Sequence, residues 1–442
     1  MSEYRMPPWP AVPLLQIPEF VRTEGAYLIR DDGSRVLDAA GQACVSNIGY
    51  GRREVADAVA EALVSMTHAL PPIPTPQRLQ LVERLKNKWL PESLSRILFL
   101  NSGSEAAETA MKLARQHHLC AGNSGKWKVI GLAPSYHGVT LAALAAGGHA
   151  SRKKGFEPMM PEFLHAPACY PLRCATCSRD GECNLSCANA LEDIIEREGA
   201  DTIAALIAEP INGTSGGALV PHADYWGKMQ EICKRHNILL IVDEVITGFG
   251  RTGKRFAIEH WGIEPDILTT AKGFTGGYAP LAAVVATEAV IQPLLEQGED
   301  IMFHTFGGHP GACAAANAVL EIIERESLVE RVAEMGDYIA GKVDELETHP
   351  NIAQVRGKGL LWAIEIVKNK EPMEAFSKED NLALEILGVG LSHDVFFYPG
   401  GTGQEGAIIV VGPAFIITTD EIDTMFDVLV TSIDEVVSKI IQ

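Results

Sequence analysis

The middle of the chain alternates short apolar runs with amphipathic stretches, and this alternation restricts the possible folds more than any other feature. Four apolar runs have the length of buried strands: residues 97–100, 128–132, 204–208 and 239–242. Stretches with the hydrophobic period of a helix lie between them: residues 105–118, 188–198 and 225–236. Strands that alternate with helices are typical of a mostly parallel sheet covered on both faces. The sequence therefore predicts an α/β fold.

The two ends of the chain predict a second, smaller unit. Residues 25–38 have the pattern of a hairpin about an Asp-Gly turn, and residues 53–66 have that of an amphipathic helix. After Gly311 come a long helix to Glu326, a mixed α/β segment and a last helix from Asp420. We expect a large domain over 71–315, with a smaller α+β domain formed by the N-terminal segment 1–70 and the C-terminal segment 316–442.

Charge and composition exclude several classes of protein. The 37 basic and 57 acidic residues give a formal charge of −20, whereas a nucleic-acid-binding protein needs a basic face. No run of 18 apolar residues is present, so no membrane span is expected. The first residues lack the apolar stretch of a secretory signal, and the nine cysteines are an odd number. We expect a cytoplasmic protein with free thiols.

Lys272 and Asp243 form the pair of residues most informative about chemistry. Lys272 follows an apolar run and precedes a glycine-rich turn, so its amine is well placed to form a Schiff base with an aldehyde. Asp243 ends the apolar run 239–242, where a carboxylate can hold a heterocyclic nitrogen protonated. These are the two groups that pyridoxal 5′-phosphate (PLP) requires. Either residue alone is more often structural, but the pair favours a PLP site.

Further polar groups fall at the same edge of the predicted sheet. Ser102, Gly103 and Ser104 begin a helix, where free backbone amides and the helix dipole favour an anion, although an ordinary helix cap has the same pattern. Tyr136 can stack on an aromatic ligand, and Glu209 ends another apolar run. Because ligands of open α/β sheets bind at the carboxyl ends of the strands, we expect these groups in one crevice.

These motifs, in this order, resemble those of the class III (omega-) aminotransferases, PLP-dependent enzymes of fold type I. The matching segments are Asn101-Ser-Gly-Ser-Glu-Ala, Ser135-Tyr-His-Gly, Ala208-Glu-Pro, Asp243-Glu-Val-Ile-Thr-Gly-Phe-Gly-Arg-Thr-Gly, Thr270-Ala-Lys-Gly, Thr305-Phe-Gly-Gly-His-Pro and Val355-Arg-Gly-Lys-Gly-Leu. The resemblance covers about residues 20–435, and the segment from Asp243 to Lys272 is its most specific part.

The resemblance implies a role for each matching residue. It assigns PLP binding to Ser102, Gly103, Ser104, Tyr136, His137, Glu209, Asp243, Val245, Lys272 and Thr305. Lys272 resembles the lysine that forms the Schiff base and then moves protons, and Asp243 resembles the partner of the pyridine nitrogen. Ser102, Gly103 and Ser104 resemble the phosphate-binding turn.

The remaining positions are assigned in the same way. Tyr136 and Val245 resemble the residues on the two faces of the ring, and Glu209 resembles the residue near the ring hydroxyl. Thr305 resembles a threonine that reaches the phosphate of the neighbouring subunit. The resemblance therefore implies a homodimer.

The implied activity is transfer of an amino group from an amine, omega-amino acid or amino acid to a keto acid by a ping-pong mechanism. A PLP-dependent racemase, aminomutase or decarboxylase would use the same Lys272 and Asp243, so these residues do not separate the alternatives. A non-catalytic PLP-binding protein is disfavoured because both residues are present.

Two segments leave alternatives open. Cys174, Cys177, Cys183 and Cys187 have a spacing that zinc could use, but free thiols on a surface loop are the alternative, and we predict no metal. Near the C-terminus, relatives that act on carboxylates often carry an arginine at positions that correspond here to Gly406 and Val410.

Without that arginine, the sequence predicts a preference for amines or omega-amino compounds. A keto acid would then be bound by another cation or by backbone amides. Three arginines are candidates for this role: Arg52, Arg53 and Arg356.

Overall fold

The computed structural model describes residues 17–174, 183–299, 302–402 and 407–441. The strands are β1 (Phe20–Glu24), β2 (Tyr27–Arg30), β3 (Arg35–Asp38), β4 (Leu94–Leu100), β5 (Lys128–Ala133), β6 (Leu164–Pro167), β7 (Ile203–Ala208), β8 (Leu239–Asp243), β9 (Ile267–Thr270), β10 (Ala282–Thr287), β11 (Ile352–Lys358), β12 (Leu361–Ile366), β13 (Asn369–Lys370), β14 (Met373–Glu374), β15 (Val395–Phe396), β16 (Tyr398–Gly400) and β17 (Ala407–Val411). The helices are α1 (Gly41–Cys44), α2 (Arg53–Ser65), α3 (Pro76–Arg84), α4 (Gly103–Cys120), α5 (Leu141–Ala146), α6 (Ala150–Lys153), α7 (Ser186–Glu198), α8 (Tyr225–Arg235), α9 (Glu288–Gln297), α10 (Pro310–Arg325), α11 (Leu328–Ala340), α12 (Val343–Leu346), α13 (Leu382–Ser392) and α14 (Thr419–Ile441).

A seven-stranded sheet forms the centre of the molecule, in the order β4-β10-β9-β8-β7-β5-β6. Strand β10 is antiparallel to both of its neighbours, and the other adjacent strands are parallel. The predicted α/β fold with a mostly parallel sheet is confirmed. The parallel strands end at one edge, which brings the residues after β5, β7, β8 and β9 together.

Burial on both faces explains why the central strands are almost wholly apolar. Every residue of β7 and β8 is buried, including the carboxylate that ends β8. Helix α4 packs its alanine-rich side against one face of the sheet, and α7 and α8 cover the other face. Each large apolar side chain buried in this way contributes about 1.5–3 kcal/mol, so the sheet is a rigid support for the residues at its edge.

Two four-stranded sheets lie beside the central one. The first has the order β1-β2-β3-β15, and the second has the order β11-β12-β17-β16. The predicted hairpin is present as β2 and β3, and β15 from the C-terminal part pairs in parallel with β3. The N-terminal and C-terminal segments therefore share a sheet. The domain boundaries at residues 70 and 315 stay a prediction.

Three strands of the central sheet carry weak sequence signals and were not predicted. Strand β6 contains His165 and Pro167, β9 is half threonine, and β10 is half alanine, so none is a strongly apolar β-branched run. Their positions depend on pairing with neighbouring strands. The proline-rich opening twenty residues are predicted to be extended, and residues 1–16 of this segment lie outside the described residues.

None of the helices in the described ranges is long and apolar enough to cross a membrane. The eight cysteines in these ranges are free thiols, and Cys177 lies outside them. No group of three or more potential metal ligands occurs among the described residues.

Candidate active site

A cavity of about 460 Å³ opens at the carboxyl edge of the central sheet. Its walls come from the turns after β4, β5, β7, β8 and β9, as expected for an open α/β sheet. Nine of the ten residues assigned to the site by sequence line this cavity: Ser102, Gly103, Ser104, Tyr136, His137, Glu209, Asp243, Val245 and Lys272.

Lys272 projects from a tight turn immediately after β9. Its φ of 44° is in the left-handed region, and the turn continues as a short 3₁₀ helix, Lys272–Phe274. The next residue is glycine, and a Cβ there would lie 2.1 Å from Nδ2 of the buried Asn47, so a larger residue would force Asn47 to move. Burial lowers the pKa of the Lys272 amine below its ordinary value of 10.5, while the nearby carboxylates Asp243 and Glu209 oppose this shift. More of the amine is therefore neutral, as a nucleophile or a base requires.

Asp243 ends β8 and is held by three donors. Its Oδ2 accepts a hydrogen bond from Nδ1 of His137 at 2.7 Å. Its Oδ1 accepts from Oγ1 of Thr269 at 3.0 Å and from the backbone N–H of Val245 at 3.1 Å. The carboxylate is 4% exposed and has one fixed orientation towards the cavity. The other ring nitrogen of His137, Nε2, is buried and has no hydrogen-bond partner among the described residues.

Glu209 is a second buried carboxyl group at the strand ends. Its Oε1 accepts from the backbone N–H of Gly213 at 2.9 Å, and its Oε2 accepts from Nδ2 of Asn212 at 2.9 Å and from the N–H of Tyr136 at 3.2 Å. Burial raises the pKa of Glu209 to about 7, and the negative charge of Asp243 adds to this effect, whereas His137 opposes it. This carboxyl group can therefore hold a proton near neutral pH.

The segment Ser102-Gly103-Ser104 forms the start of α4, an 18-residue helix. Ser102 is the N-cap, and its Oγ accepts from the N–H of Glu105 at 3.2 Å. Oγ of Ser104 accepts from the N–H of Val139 at 3.1 Å. Each hydroxyl keeps its own hydrogen to donate, and the amides of the first helical turn point out of the helix. This end of the cavity suits an anion such as a phosphate.

Tyr136 and Val245 supply the apolar surfaces of the cavity. Tyr136 follows β5 and Val245 follows β8, and both line the cavity. Val245 also packs against the start of α4, since a Cβ at Gly103 would lie 3.0 Å from its Cγ1. An aromatic side chain and a branched aliphatic one in the same cavity suit a flat heterocyclic ring.

Thr305 does not line the cavity of its own chain. It lies in the turn before α10 and is exposed, as is its neighbour Phe306. Val410 also does not line the cavity, because it is buried within β17, and Gly406 lies outside the described residues.

The three arginines suggested by the sequence as anion-binding residues are engaged elsewhere. Arg52 forms a bidentate pair with Glu326, at 2.9 and 2.7 Å, and Arg53 pairs with Asp57 at 2.8 Å. Arg356 pairs with the fully buried Glu365 at 2.6 Å. None of these arginines lines the cavity, and each is paired with a carboxylate.

Two contributors to the site were missed by sequence reasoning. Thr269 reaches Asp243 because the register of β8 and β9 puts these residues opposite each other. Asn212 holds Glu209 from the loop after β7 and also donates to the backbone oxygen of Pro134 at 3.0 Å. The threonine pair before Lys272 was a weak signal, whereas nothing in the local sequence indicated Asn212.

The groups in the cavity fit PLP. The amine can form a Schiff base with the aldehyde of that cofactor, and the buried carboxylate can pair with its ring nitrogen. The helix N-terminus with its two hydroxyls suits the phosphate, and the flat apolar walls suit the faces of the ring. The cavity volume of about 460 Å³ is also in the range of small-molecule sites.

Comparison with known proteins gives consistent results over nearly the whole chain. Residues 13–433 match the family model described as aminotransferase class-III. The chain is 45% identical to an uncharacterized aminotransferase of Bacillus subtilis, YhxA, over 80% of this chain and 78% of that protein. It is 37% identical to the taurine–pyruvate aminotransferase of Bilophila wadsworthia, over 91% and 89%.

A solved structure agrees with these sequence matches. An amine transaminase from an uncultivated Pseudomonas species in its PLP-bound form has a TM-score of 0.90 and 32% identity, with 99% of each chain covered. The fold type predicted from the motifs is confirmed, and so is the transaminase activity, which moves an amino group from an amine or amino acid donor to a keto acid. The chain belongs to the class III aminotransferases, a family of PLP-dependent enzymes.

Proposed function

We propose that the cavity binds PLP and that Lys272 and Asp243 carry the chemistry of amino transfer. The observation that supports this most strongly is that the Lys272 amine and the Asp243 carboxylate line one cavity with the N-terminus of α4. Ser102, Gly103 and Ser104 would hold the phosphate. Tyr136 and Val245 would contact the two faces of the ring.

When bound, PLP supplies an aldehyde for Schiff-base formation and a protonated ring that accepts electrons. The role of Lys272 has two parts. Its neutral amine would hold the cofactor covalently, and as a general base it would take a proton from the donor carbon. Burial, which lowers the pKa of Lys272, favours both parts because each needs the uncharged amine.

Asp243 would act on the ring nitrogen through charge. His137, Thr269 and the backbone already fix the orientation of this carboxylate. It therefore would not need to reorganise to accept a hydrogen bond from the protonated ring nitrogen. Nε2 of His137 has no hydrogen-bond acceptor among the described residues, which favours the tautomer with the proton on Nδ1, donated to Asp243. Glu209, with its pKa raised to about 7, would share a proton with the ring hydroxyl.

We further propose that the enzyme is a homodimer with shared sites. Thr305 is exposed on its own chain, next to the exposed side chains of Phe303 and Phe306. An exposed apolar surface of this kind is costly in water and is typical of a protein interface. In the dimer, Thr305 would donate a hydrogen bond to the phosphate held by the partner.

For substrates, we propose an amine or omega-amino compound as donor and a keto acid such as pyruvate as acceptor, in the cytoplasm. The similarity to a taurine–pyruvate aminotransferase supports a donor whose amine is terminal and an acceptor of this type. The absence of an arginine at Val410 agrees with this donor class.

The test is a two-stage assay on purified protein loaded with PLP. Candidate amines and α-amino acids are added without acceptor, and loss of the PLP absorbance band is followed. Pyruvate is then added, and alanine is measured. We expect terminal amines and omega-amino acids to complete both stages. Decarboxylation of the donor without formation of alanine from pyruvate would contradict the proposal and favour a decarboxylase. Racemisation of the donor without formation of alanine would favour a racemase.

A further inference from the structure

The cavity has an excess of acidic groups for an enzyme that uses a keto acid. Asp243 and Glu209 line it, and Lys272 is committed to the cofactor in the proposed function. A bound phosphate would add more negative charge. An anionic substrate needs a cation near the entrance, since a carboxylate in such surroundings is otherwise repelled and poorly solvated.

Arg152 is a cation near the cavity that contacts one of the lining residues, although it is not itself among the residues that line the cavity. Its guanidinium carbon lies 4.9 Å from the centre of the Tyr136 ring, and Tyr136 lines the cavity. Its charge also reaches Tyr398 of β16: burial raises the pKa of the Tyr398 hydroxyl, and Arg152 opposes that rise. Arg152 therefore contacts one of these tyrosines and acts on the other through its charge.

The backbone that carries Arg152 is tied to the end of β5. Arg152 belongs to α6, and the preceding Gly148 donates its N–H to the backbone oxygen and the Oγ of Ser135, each at 3.0 Å. A Cβ at Gly148 would lie 2.3 Å from the backbone oxygen of Leu132, so this contact requires glycine. Nζ of Lys153 donates to the oxygen of Ala145 at 2.8 Å, which fixes the other side of α6.

Arg152 differs from Arg52, Arg53 and Arg356 in its partners. Each of those three is paired with a carboxylate. Within the described ranges, Arg152 has a cation–π contact and no ion pair with a carboxylate. The stacked ring orients the guanidinium and leaves its N–H groups available for a bidentate carboxylate.

We propose that Arg152 binds the carboxylate of the substrate, both that of the keto acid acceptor and the distal carboxylate of an omega-amino donor. The inference rests on the proposed function, and it assigns the anion-recognition role to α6 and not to the C-terminal segment. The substrate class is then omega-amino acids in preference to neutral amines of equal length.

The experiment compares 4-aminobutanoate with butylamine, which has the same number of carbons and no carboxylate. The donor half-reaction is followed in the PLP-loaded enzyme, and the half-saturating pyruvate concentration is measured after loading with pyridoxamine phosphate. For Arg152→Gln we expect the rate constant for 4-aminobutanoate to fall by about 10- to 100-fold. The half-saturating pyruvate concentration should rise by a similar factor. This range corresponds to the loss of one hydrogen bond to a charged group. Butylamine should change less than twofold, and Arg152→Lys should recover part of the loss.

Lys154→Gln is the matched control, because Lys154 is an exposed cation two residues away. It should leave both donors unchanged. An equal loss for both donors, or no loss for the anionic one, would overturn the proposal.

A binding measurement separates this proposal from the proposed function. Calorimetric titration of the holoenzyme with butanoate needs no turnover. If neither donor reacts in the wild type, the proposed donor class fails. If butanoate still binds more weakly to Arg152→Gln than to the wild type, the role of Arg152 holds, and equal binding would overturn it.

Discussion

The inner end of the cavity and its outer surroundings are built in different ways. At the inner end, Asp243, His137 and Glu209 are 4%, 3% and 7% exposed and take part in hydrogen bonds of 2.7 and 3.2 Å at the strand ends. Outside, Thr305 and Arg152 are exposed and lie on a turn and a four-residue helix. The buried groups contact one another within one chain, whereas the roles proposed for the outer residues require a substrate or a second subunit. The reaction type should therefore depend on the first group and specificity on the second.

The largest effect is expected at Lys272, because the proposed function assigns both cofactor attachment and proton transfer to its amine. Lys272→Ala removes the Schiff-base partner and the proton carrier together, so turnover should fall by at least about 10⁴-fold. Borohydride reduction followed by peptide mass analysis checks the bond. A PLP–lysine adduct that persists at another position in this variant would show that Lys272 is not the attachment site.

Asp243→Asn tests the inner end without changing its shape. The amide cannot hold the ring nitrogen protonated, and we expect a loss of roughly 10²- to 10³-fold in kcat with little change in KM. Circular dichroism should show the native fold. Thr269→Val removes one hydrogen bond to the same carboxylate and should cost much less. Near-normal kcat in Asp243→Asn would mean that another group controls the nitrogen.

Thr305→Ala tests the outer region. If Thr305 donates to the phosphate across a dimer interface, PLP should bind about 10- to 100-fold more weakly, with little change in kcat at saturating PLP. Equilibrium dialysis of PLP measures this directly. Thr424→Ala, at an exposed position on α14, is the matched control. Equal PLP affinity in the two variants would remove Thr305 from the site.

The smallest expected effect is a pH dependence at Glu209. Its pKa in the folded protein is raised to about 7 from an ordinary 4.5, mainly by burial. The stabilisation of the protonated form is fully present below pH 4.5 and is lost as pH rises through 7, so Glu209 should lower the free energy of unfolding of cofactor-free protein by roughly 2–3 kcal/mol between pH 5 and 8. Urea unfolding at several pH values measures it.

Glu244 provides the comparison for this last prediction. It is fully buried, its pKa is also raised to about 7, and it caps the backbone of Ala257 and Ile258 and does not line the cavity. Glu209→Gln should alter the pH dependence of PLP binding, and Glu244→Gln should alter only that of stability. If both variants change the pH dependence of PLP binding equally, Glu209 does not differ from Glu244 in its effect on the cavity, and the prediction is wrong.

The sequence by itself determined the elements with strong local signals. The apolar runs at β5, β7 and β8 and the helices α4, α7 and α8 were predicted within about two residues, because hydrophobic periodicity reflects which face is buried. Lys272 and Asp243 were identified for the same reason: a polar group at the end of an apolar run is conspicuous. The assigned roles of the site residues stay predictions.

Tertiary structure decided the features that depend on pairing between distant segments. The register of β8 and β9 sets Thr269 against Asp243, and the loop after β7 brings Asn212 to Glu209. The local sequence does not reveal the partner of either Arg356 or Arg152. In the structure, Arg356 is paired with a buried carboxylate, and the guanidinium of Arg152 lies over the Tyr136 ring. Local patterns report burial, whereas the partner of a charge depends on which segments the fold brings within hydrogen-bonding distance, and no local pattern contains that information.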